Sequence, residues 1–119
     1  MTALREMRCT PVRKEDRPLS DAEIREYARE VPGWKIIDRE GILRLERDFR
    51  FKNFSAALDF TVRVGENAEA EDHHPALLTE WGRVTVTWWT HRVRGLHRND
   101  FIMAAKTDEI FAWADSSAE

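Results

Sequence analysis

The stretch of sequence that decides the fold covers residues 69–91 and reads EAEDHHPALLTEWGRVTVTWWTH. After Gly82, apolar side chains recur at every second position, with threonines between them. This alternation is typical of strands, and a glycine between two such runs favours a tight turn. We therefore predict a hairpin whose strands cover Leu77 to Trp81 and Arg83 to His91.

A helix and a second strand pair are predicted earlier in the chain. Ser20 and Glu23 have the spacing of a capping box, which begins a helix that Pro32-Gly33 would end. Residues 34–38 and 42–51 alternate as two strands around a turn that contains glycine.

A second and a third helix complete the predicted elements. Asn53 is expected to cap the second helix, and the third covers Asn99 to Asp115. The third is apolar on more than one side, which favours contact with a partner subunit. The second is expected to bury one face, formed by Phe54, Ala57, Leu58, Thr61, Val62 and Gly65 and widened by Phe60 and Val64.

The order of these elements, α-β-β-α-β-β-α, predicts an α+β fold. A four-stranded antiparallel sheet would carry helices packed on one face. A chain of 119 residues fits one such domain. Residues 1–18 mix basic and acidic side chains and predict a flexible, solvated N-terminal tail, so the single domain would cover residues 19–119.

Composition narrows the classes of partner. A net charge of -3 argues against a nucleic-acid-binding surface. No apolar run approaches the roughly 18 residues that favour a membrane span. Cys9 is the only cysteine, which excludes an internal disulfide. A reducing, cytoplasmic setting is therefore expected.

Three of the four histidines surround the predicted hairpin. His73 and His74 precede Pro75, and His91 ends the second strand. Imidazole changes its charge near neutral pH, with an ordinary pKa of about 6.5. Histidines beside the carboxylates of Glu69 and Asp72 therefore indicate either proton transfer or metal binding.

Proton transfer is the favoured interpretation of this cluster. Neighbouring residues in an extended segment point to opposite sides, so His73 and His74 are poorly placed to share one ion. No serine or cysteine has the G-x-S-x-G context of an activated nucleophile. The plain alternative is that each histidine is a surface or core residue whose hydrogen bonds are satisfied.

The chain resembles the pterin-4a-carbinolamine dehydratase family over about residues 18–113. The pairing of His-His-Pro with a later Thr-His is the specific part of the resemblance. The segments that carry it are Glu69 to Pro75, Trp81 with Val84, Thr90-His91, and Gly95-Leu96 with Asp100.

The resemblance implies an activity and a set of site residues. Family members remove water from 4a-hydroxytetrahydropterin (4a-hydroxytetrahydrobiopterin) without metal or cofactor, giving the quinonoid dihydropterin that is recycled after aromatic amino acid hydroxylation. The implied catalytic residues are His73, His74 and His91, with His74 as the principal proton-transfer group. The implied substrate-binding residues are Glu69, Asp72, Pro75, Thr90, Arg92 and Val93.

Other roles stay open. Glu69 could be an ordinary solvated carboxylate, and Asp72 could only hold the turn before Pro75. The resemblance implies a homodimer or homotetramer. It also leaves a non-catalytic alternative, in which the same fold serves as a transcription-factor partner or as a RubisCO assembly factor.

The chain departs from the common family pattern at five positions. Trp81 and Gly82 stand where tyrosine and asparagine are common, and Trp88-Trp89 is bulkier than usual, which would narrow a pterin pocket. His97 replaces the usual serine or threonine before the last helix. Loss of that cap would cost about 1 kcal/mol unless another group substitutes.

Overall fold

The sheet is built from two hairpins. This computed structural model describes the backbone of residues 2–117 and the side chains of residues 2–114. All neighbouring strands pair antiparallel, in the order β1-β2-β4-β3. The strands are β1 (Lys35–Arg39), β2 (Ile42–Arg50), β3 (Ala76–Glu80) and β4 (Arg83–Trp88).

Three α-helices accompany the sheet, which confirms the predicted α+β class and element order. Two short 3-10 turns, Leu4–Glu6 and His91–Val93, were not predicted. Within the described residues, no helix is both long and apolar enough to cross a bilayer. The helices are α1 (Asp21–Ala28), α2 (Phe54–Glu71) and α3 (Arg98–Ser117).

The two predicted helix caps are confirmed. Ser20 Oγ accepts the Glu23 N–H at 3.2 Å, and Glu23 Oε1 accepts the Ser20 N–H at 2.9 Å. Asn53 Oδ1 accepts the Ala56 N–H at 2.8 Å at the beginning of α2. Each cap satisfies amides that the first turn of a helix leaves without a partner.

One face of the sheet forms the core with α2 and α3. The register pairs Phe49 with Val84, so the inward side chains of β2 and β4 share this face. The ring centre of Phe49 lies 4.9 Å from that of Phe60 on α2 and 4.9 Å from that of Phe111 on α3. Both helices therefore cover the same face of the sheet.

The buried face of α2 differs in part from the predicted one. Ala57, Phe60, Val64 and Ala68 are buried, while Phe54, Leu58 and Val62 are each about half exposed. Phe60 is the aromatic side chain that fits between the phenylalanines of β2 and α3, so the helix turns it inward. The prediction is therefore confirmed for Ala57, Phe60 and Val64 and wrong for Phe54, Leu58 and Val62, which lie at the surface.

The apolar side chains on several sides of α3 pack against other elements of the same chain. Phe101, Ile102, Met103 and Ala104 are all buried, because α3 packs against the sheet, α1, α2 and the N-terminal segment. The width of this apolar surface is therefore not evidence of a partner subunit.

The N-terminal segment packs on the domain where the sequence predicted a solvated tail. Leu4 is buried in the same core as the sheet, and its N–H donates to Glu30 Oε1 at 3.1 Å. Lys106 Nζ of α3 donates to the carbonyl of Arg5 at 3.0 Å. The N-terminal stretch is too short to show a periodic pattern of apolar residues, so the sequence does not indicate this packing. The domain boundary at residue 19 stays a prediction.

Candidate functional site

The end of α2 delivers His73 to the interior. Asp72 has left-handed backbone angles (φ 52°, ψ 43°), and its N–H bonds to the carbonyls of Ala68 and Glu69. The His73 N–H bonds to the Ala68 carbonyl at 3.2 Å. Aspartate tolerates this conformation better than most side chains, and it ends the helix as a glycine often does. Asp72 thus holds the turn, and its contact with substrate stays a prediction.

His73 is bound to a buried carboxylate. Its Nε2 atom lies 2.7 Å from Asp100 Oδ1, and Asp100 is fully buried. Thr90 Oγ1 donates to Asp100 Oδ2 at 2.7 Å, and the His97 N–H donates to the same oxygen at 2.9 Å. Three donors thus compensate the carboxylate for its loss of water.

This arrangement fixes the tautomer of His73. In a neutral imidazole, the nitrogen that faces a carboxylate carries the proton, so Nε2 is the N–H of that tautomer and Nδ1 is the acceptor. The ring also stacks on Trp88, with centres 5.8 Å apart and planes 7° from parallel. A carboxylate on one side and an indole below hold the imidazole in one orientation.

His97 supplies the cap at the beginning of α3, where the sequence predicts a weakened one. Its Nδ1 atom accepts the Asn99 N–H at 3.0 Å, as a serine hydroxyl would. Because Nδ1 is an acceptor, the proton lies on Nε2, which faces Asp16 Oδ2 at 3.4 Å. The imidazole therefore caps α3 itself, and Asp100 completes the cap from within the first turn.

His74 lies at the surface beside a second carboxylate. Its Nε2 atom is 2.5 Å from Glu69 Oε1. The two side chains are 53% and 80% exposed, so this pair differs from the buried pair of His73. Glu69 thus orients an imidazole, one of the roles that the sequence left open, while its contact with substrate stays a prediction.

His91 does not lie on β4, which ends at Trp88. Thr90 and Gly95 form an isolated bridge, and Arg94 between them has left-handed angles (φ 54°), so the chain turns back. His91 is exposed in the 3-10 turn, with its ring centre 4.9 Å from that of Trp89. The alternating pattern hid this turn because it contains no glycine or proline before residue 95.

The other predicted substrate-binding residues differ in exposure. Thr90 is buried and holds Asp100, and its Oγ1 atom is 3.5 Å from His73 Nε2. Val93 is buried as well, and Pro75 is partly buried. Arg92 is exposed, and its guanidinium donates to the Val12 carbonyl at 3.1 Å. Contact of these four residues with substrate stays a prediction.

The tryptophan and glycine departures have distinct structural settings. Gly82 has φ 74°, and asparagine is among the few residues that also adopt such angles, so the turn is preserved. Trp81 is 73% exposed at this turn. Trp88 is buried beneath His73, and Trp89 stacks under the Arg44 guanidinium at 4.1 Å on the opposite face of the sheet. Narrowing of a pterin pocket by this pair stays a prediction.

Metal ligation finds no support in the geometry. Among the described residues, no three His, Cys, Asp or Glu side chains converge closely enough to hold an ion. His73 and His74 face separate carboxylates, on α3 and α2 respectively.

Asp100 is a residue of the candidate site to which the sequence assigned no role. It was part of the segment that carries the family resemblance, but nothing in the local pattern joins it to a histidine 27 residues earlier. The available signal was its position in the first turn of a predicted helix, where an acidic side chain often bonds to a backbone amide.

Comparisons with known proteins identify the family of the chain. Residues 17–110 match the model of the family described as Pterin 4 alpha carbinolamine dehydratase. A protein of Gloeobacter violaceus named "Putative pterin-4-alpha-carbinolamine dehydratase 1" is 60% identical over 109 residues, which cover 92% of this chain and 94% of that protein. The crystal structure of a transcriptional coactivator/pterin dehydratase from Brucella melitensis matches with a TM-score of 0.72 and 36% identity, over 78% of this chain and 97% of that one. The chain therefore belongs to the pterin 4 alpha carbinolamine dehydratase family.

Proposed function

We propose that the chain dehydrates 4a-hydroxytetrahydropterin (4a-hydroxytetrahydrobiopterin) to quinonoid dihydropterin by histidine acid–base catalysis. The observation that carries this proposal is the pairing of His73 with buried Asp100 next to the exposed His74–Glu69 pair. Two adjacent imidazoles, each polarised by its own carboxylate, suit a reaction that needs one proton given and one proton taken.

The proposed reaction balances without a redox partner. A general acid protonates the hydroxyl on carbon 4a, the carbon–oxygen bond breaks, and water leaves. A base removes the proton on nitrogen 5, and the electron pair of the broken N–H bond forms the double bond between nitrogen 5 and carbon 4a. No metal or cofactor is needed, because protons alone are exchanged.

His74 is proposed as the principal proton-transfer residue. Its ring is half exposed, so it can meet a substrate and exchange protons with water. Glu69 holds Nε2, which leaves Nδ1 for the reaction. A positioned imidazole of this kind typically contributes about 10²–10⁴-fold in rate.

His73 and His91 are proposed to bind the pterin and to share the second proton role. The Asp100 carboxylate and the Trp88 ring limit the movement of His73, which suits it to orient a planar ligand. His91 is exposed on the turn that follows Thr90, whose hydroxyl lies near His73. Preorganised groups of this kind lower the entropic cost of reaching the reactive geometry.

We also propose that the chain works as a homodimer or homotetramer in the cytoplasm. Phe54, Leu58 and Val62 recur every four residues on α2 and form an apolar row about half exposed to solvent. A second copy of the chain, packing on the same row, would remove this surface from water.

A non-catalytic partner role is the alternative, since the row on α2 would serve a different protein equally well. A turnover assay with 4a-hydroxytetrahydropterin separates the two. The dehydratase proposal expects the chain to accelerate quinonoid dihydropterin formation far above the uncatalysed rate. A folded chain that adds nothing to that rate would overturn the proposal in favour of the partner role.

A further inference from the structure

Residues 8–12 form a strap that is fastened first to the end of α2. The Cys9 N–H donates to Glu71 Oε1 at 2.8 Å, and Arg8 Nε donates to Glu71 Oε2 at 2.6 Å. The Glu71 side chain is 6% exposed. Hydrogen bonds to an ionised carboxylate are about twice as strong as neutral ones.

The strap is also fastened to α3 and to the turn after β4. Asn99 Oδ1 accepts the Thr10 N–H at 3.1 Å, and Asn99 Nδ2 donates to the Thr10 carbonyl at 2.7 Å. At the far end, Arg92 donates to the Val12 carbonyl at 3.1 Å. The strap therefore joins the three segments that carry His73, Asp100 and His91.

A cavity lies between the strap and the turn that carries His73. Its volume is about 410 Å³, within the usual range of small-molecule pockets. Its lining includes Cys9, Thr10 and Val12 of the strap together with Glu71 and Asn99, and His73 is the one of the three proposed catalytic histidines that lines it. Part of the lining is thus made by residues that precede the matched family range, which begins at Arg17.

We propose that the strap is a wall of the subsite in which His73 contacts the pterin, and that it determines how tightly the chain binds its pterin. This inference rests on the proposed dehydratase function and extends it to residues outside the family match. The residues of the strap take no part in the proposed proton transfers. The strap should therefore stabilise the bound substrate and the transition state equally. Loosening it should raise KM and leave kcat unchanged.

The first test loosens the strap without touching the histidines. Glu71→Gln removes the charge that holds Cys9 and Arg8 and keeps the size of the side chain. We expect KM to rise about 3- to 10-fold with kcat nearly unchanged. Glu109→Gln is the matched control, because it breaks an exposed 3.5 Å ion pair with Arg5 at a place remote from the cavity.

The second test uses the wild-type chain and its single cysteine as a reporter. Burial raises the pKa of the Cys9 thiol to about 12, with the charge of Glu71 adding to the shift, so alkylation by iodoacetamide at pH 9 is slow. Stable 7,8-dihydrobiopterin at about ten times its Kd should slow it about ten-fold more, because the occupied cavity blocks access.

Each outcome separates this inference from the function on which it rests. Two results would overturn the role of the strap while the proposed dehydratase activity stands. One is turnover by Glu71→Gln with an unchanged KM. The other is turnover by the wild-type chain together with Cys9 alkylation that bound dihydrobiopterin does not slow. Absence of both turnover and dihydrobiopterin binding would overturn both. If Glu71→Gln does not fold, as judged by circular dichroism, the alkylation of the wild-type chain decides alone.

Discussion

The Nε2 atom of His73 lies 2.7 Å from the Oδ1 atom of Asp100, and this contact joins the end of α2 to the beginning of α3. The carboxylate is fully buried and accepts two further hydrogen bonds, from Thr90 and from the His97 amide. Removing one partner of such a network leaves other polar groups unsatisfied in the interior. Asp100 is therefore a positioning residue for His73 and a cap for α3 at once.

We expect Asp100→Asn to lower kcat/KM about 10- to 100-fold, because a hydrogen bond to a charged group contributes about 1.5–3 kcal/mol. Steady-state kinetics would measure the loss. Asp108→Asn is the matched control on the same helix, since Asp108 accepts Trp34 Nε1 at 2.8 Å and Arg47 Nη1 at 2.6 Å away from the histidines. Similar losses of activity in both variants would contradict the positioning role.

The packing of α2 predicts a large stability difference between two aromatic residues. Phe60 is 0% exposed among the rings of β2 and α3, whereas Trp81 is 73% exposed. Phe60→Ala should lower the free energy of unfolding by about 3–5 kcal/mol, and Trp81→Ala by about 0.5 kcal/mol. Urea denaturation followed by circular dichroism measures both. Equal costs would show that α2 does not bury the face described.

Two carboxylates should give opposite dependences of stability on pH. Burial alone would raise the pKa of Glu71, but the Cys9 N–H and the Arg8 guanidinium outweigh it, so its folded pKa lies below the ordinary 4.5. Its stabilising contribution is present above that value and is lost as the pH falls through the folded pKa. The stability advantage of wild type over Glu71→Gln should therefore shrink in acid.

Asp108 is expected to show the opposite dependence of stability on pH. Burial raises its pKa above the ordinary 3.8, although bonds from Trp34 and Arg47 oppose the rise. Its contribution is present below 3.8 and is lost as the pH rises through the folded pKa. The stability of wild type relative to Asp108→Asn should therefore fall with rising pH. Urea unfolding at several pH values tests both variants, and parallel trends would contradict the assignment.

The apolar row on α2 predicts self-association. We expect light scattering to find a dimer or tetramer of the wild-type chain at micromolar concentration. Leu58→Asp should shift it towards monomer, because a carboxylate buried in an apolar interface is costly. Ala22→Asp adds the same charge at an exposed position of α1, away from this row, and should leave the assembly intact. A wild-type chain that is only monomeric would contradict this prediction.

Local signals predicted much of the fold. The Ser20–Glu23 capping box, the Asn53 cap and the turn at Gly82 depend on residues close in sequence, and all three formed as the pattern indicated. The face of α2 was harder to predict. The helix has more apolar residues than the core can bury. Contacts with rings distant in sequence, such as Phe49, determine that Phe60 is buried and Leu58 is half exposed.

The candidate site could be predicted only in part, for the same reason. The resemblance singled out His73, His74 and His91, but their surroundings depend on contacts across the chain. Asp100 meets His73 across 27 residues, and Glu71 holds Cys9 across 62. No periodic pattern in the sequence encodes such pairs, so the buried carboxylate and the strap emerged only from the structure.

The turnover of His74→Ala with 4a-hydroxytetrahydropterin tests the central claim most directly. His74 is the exposed imidazole held by Glu69, and its loss should lower kcat by about 10²–10⁴-fold with little change in KM. His73→Ala and His91→Ala should show a larger share of their loss in KM, because those residues also hold the ring. Acid–base catalysis by this histidine predicts that pattern, and a His74→Ala chain that keeps the wild-type kcat would contradict it.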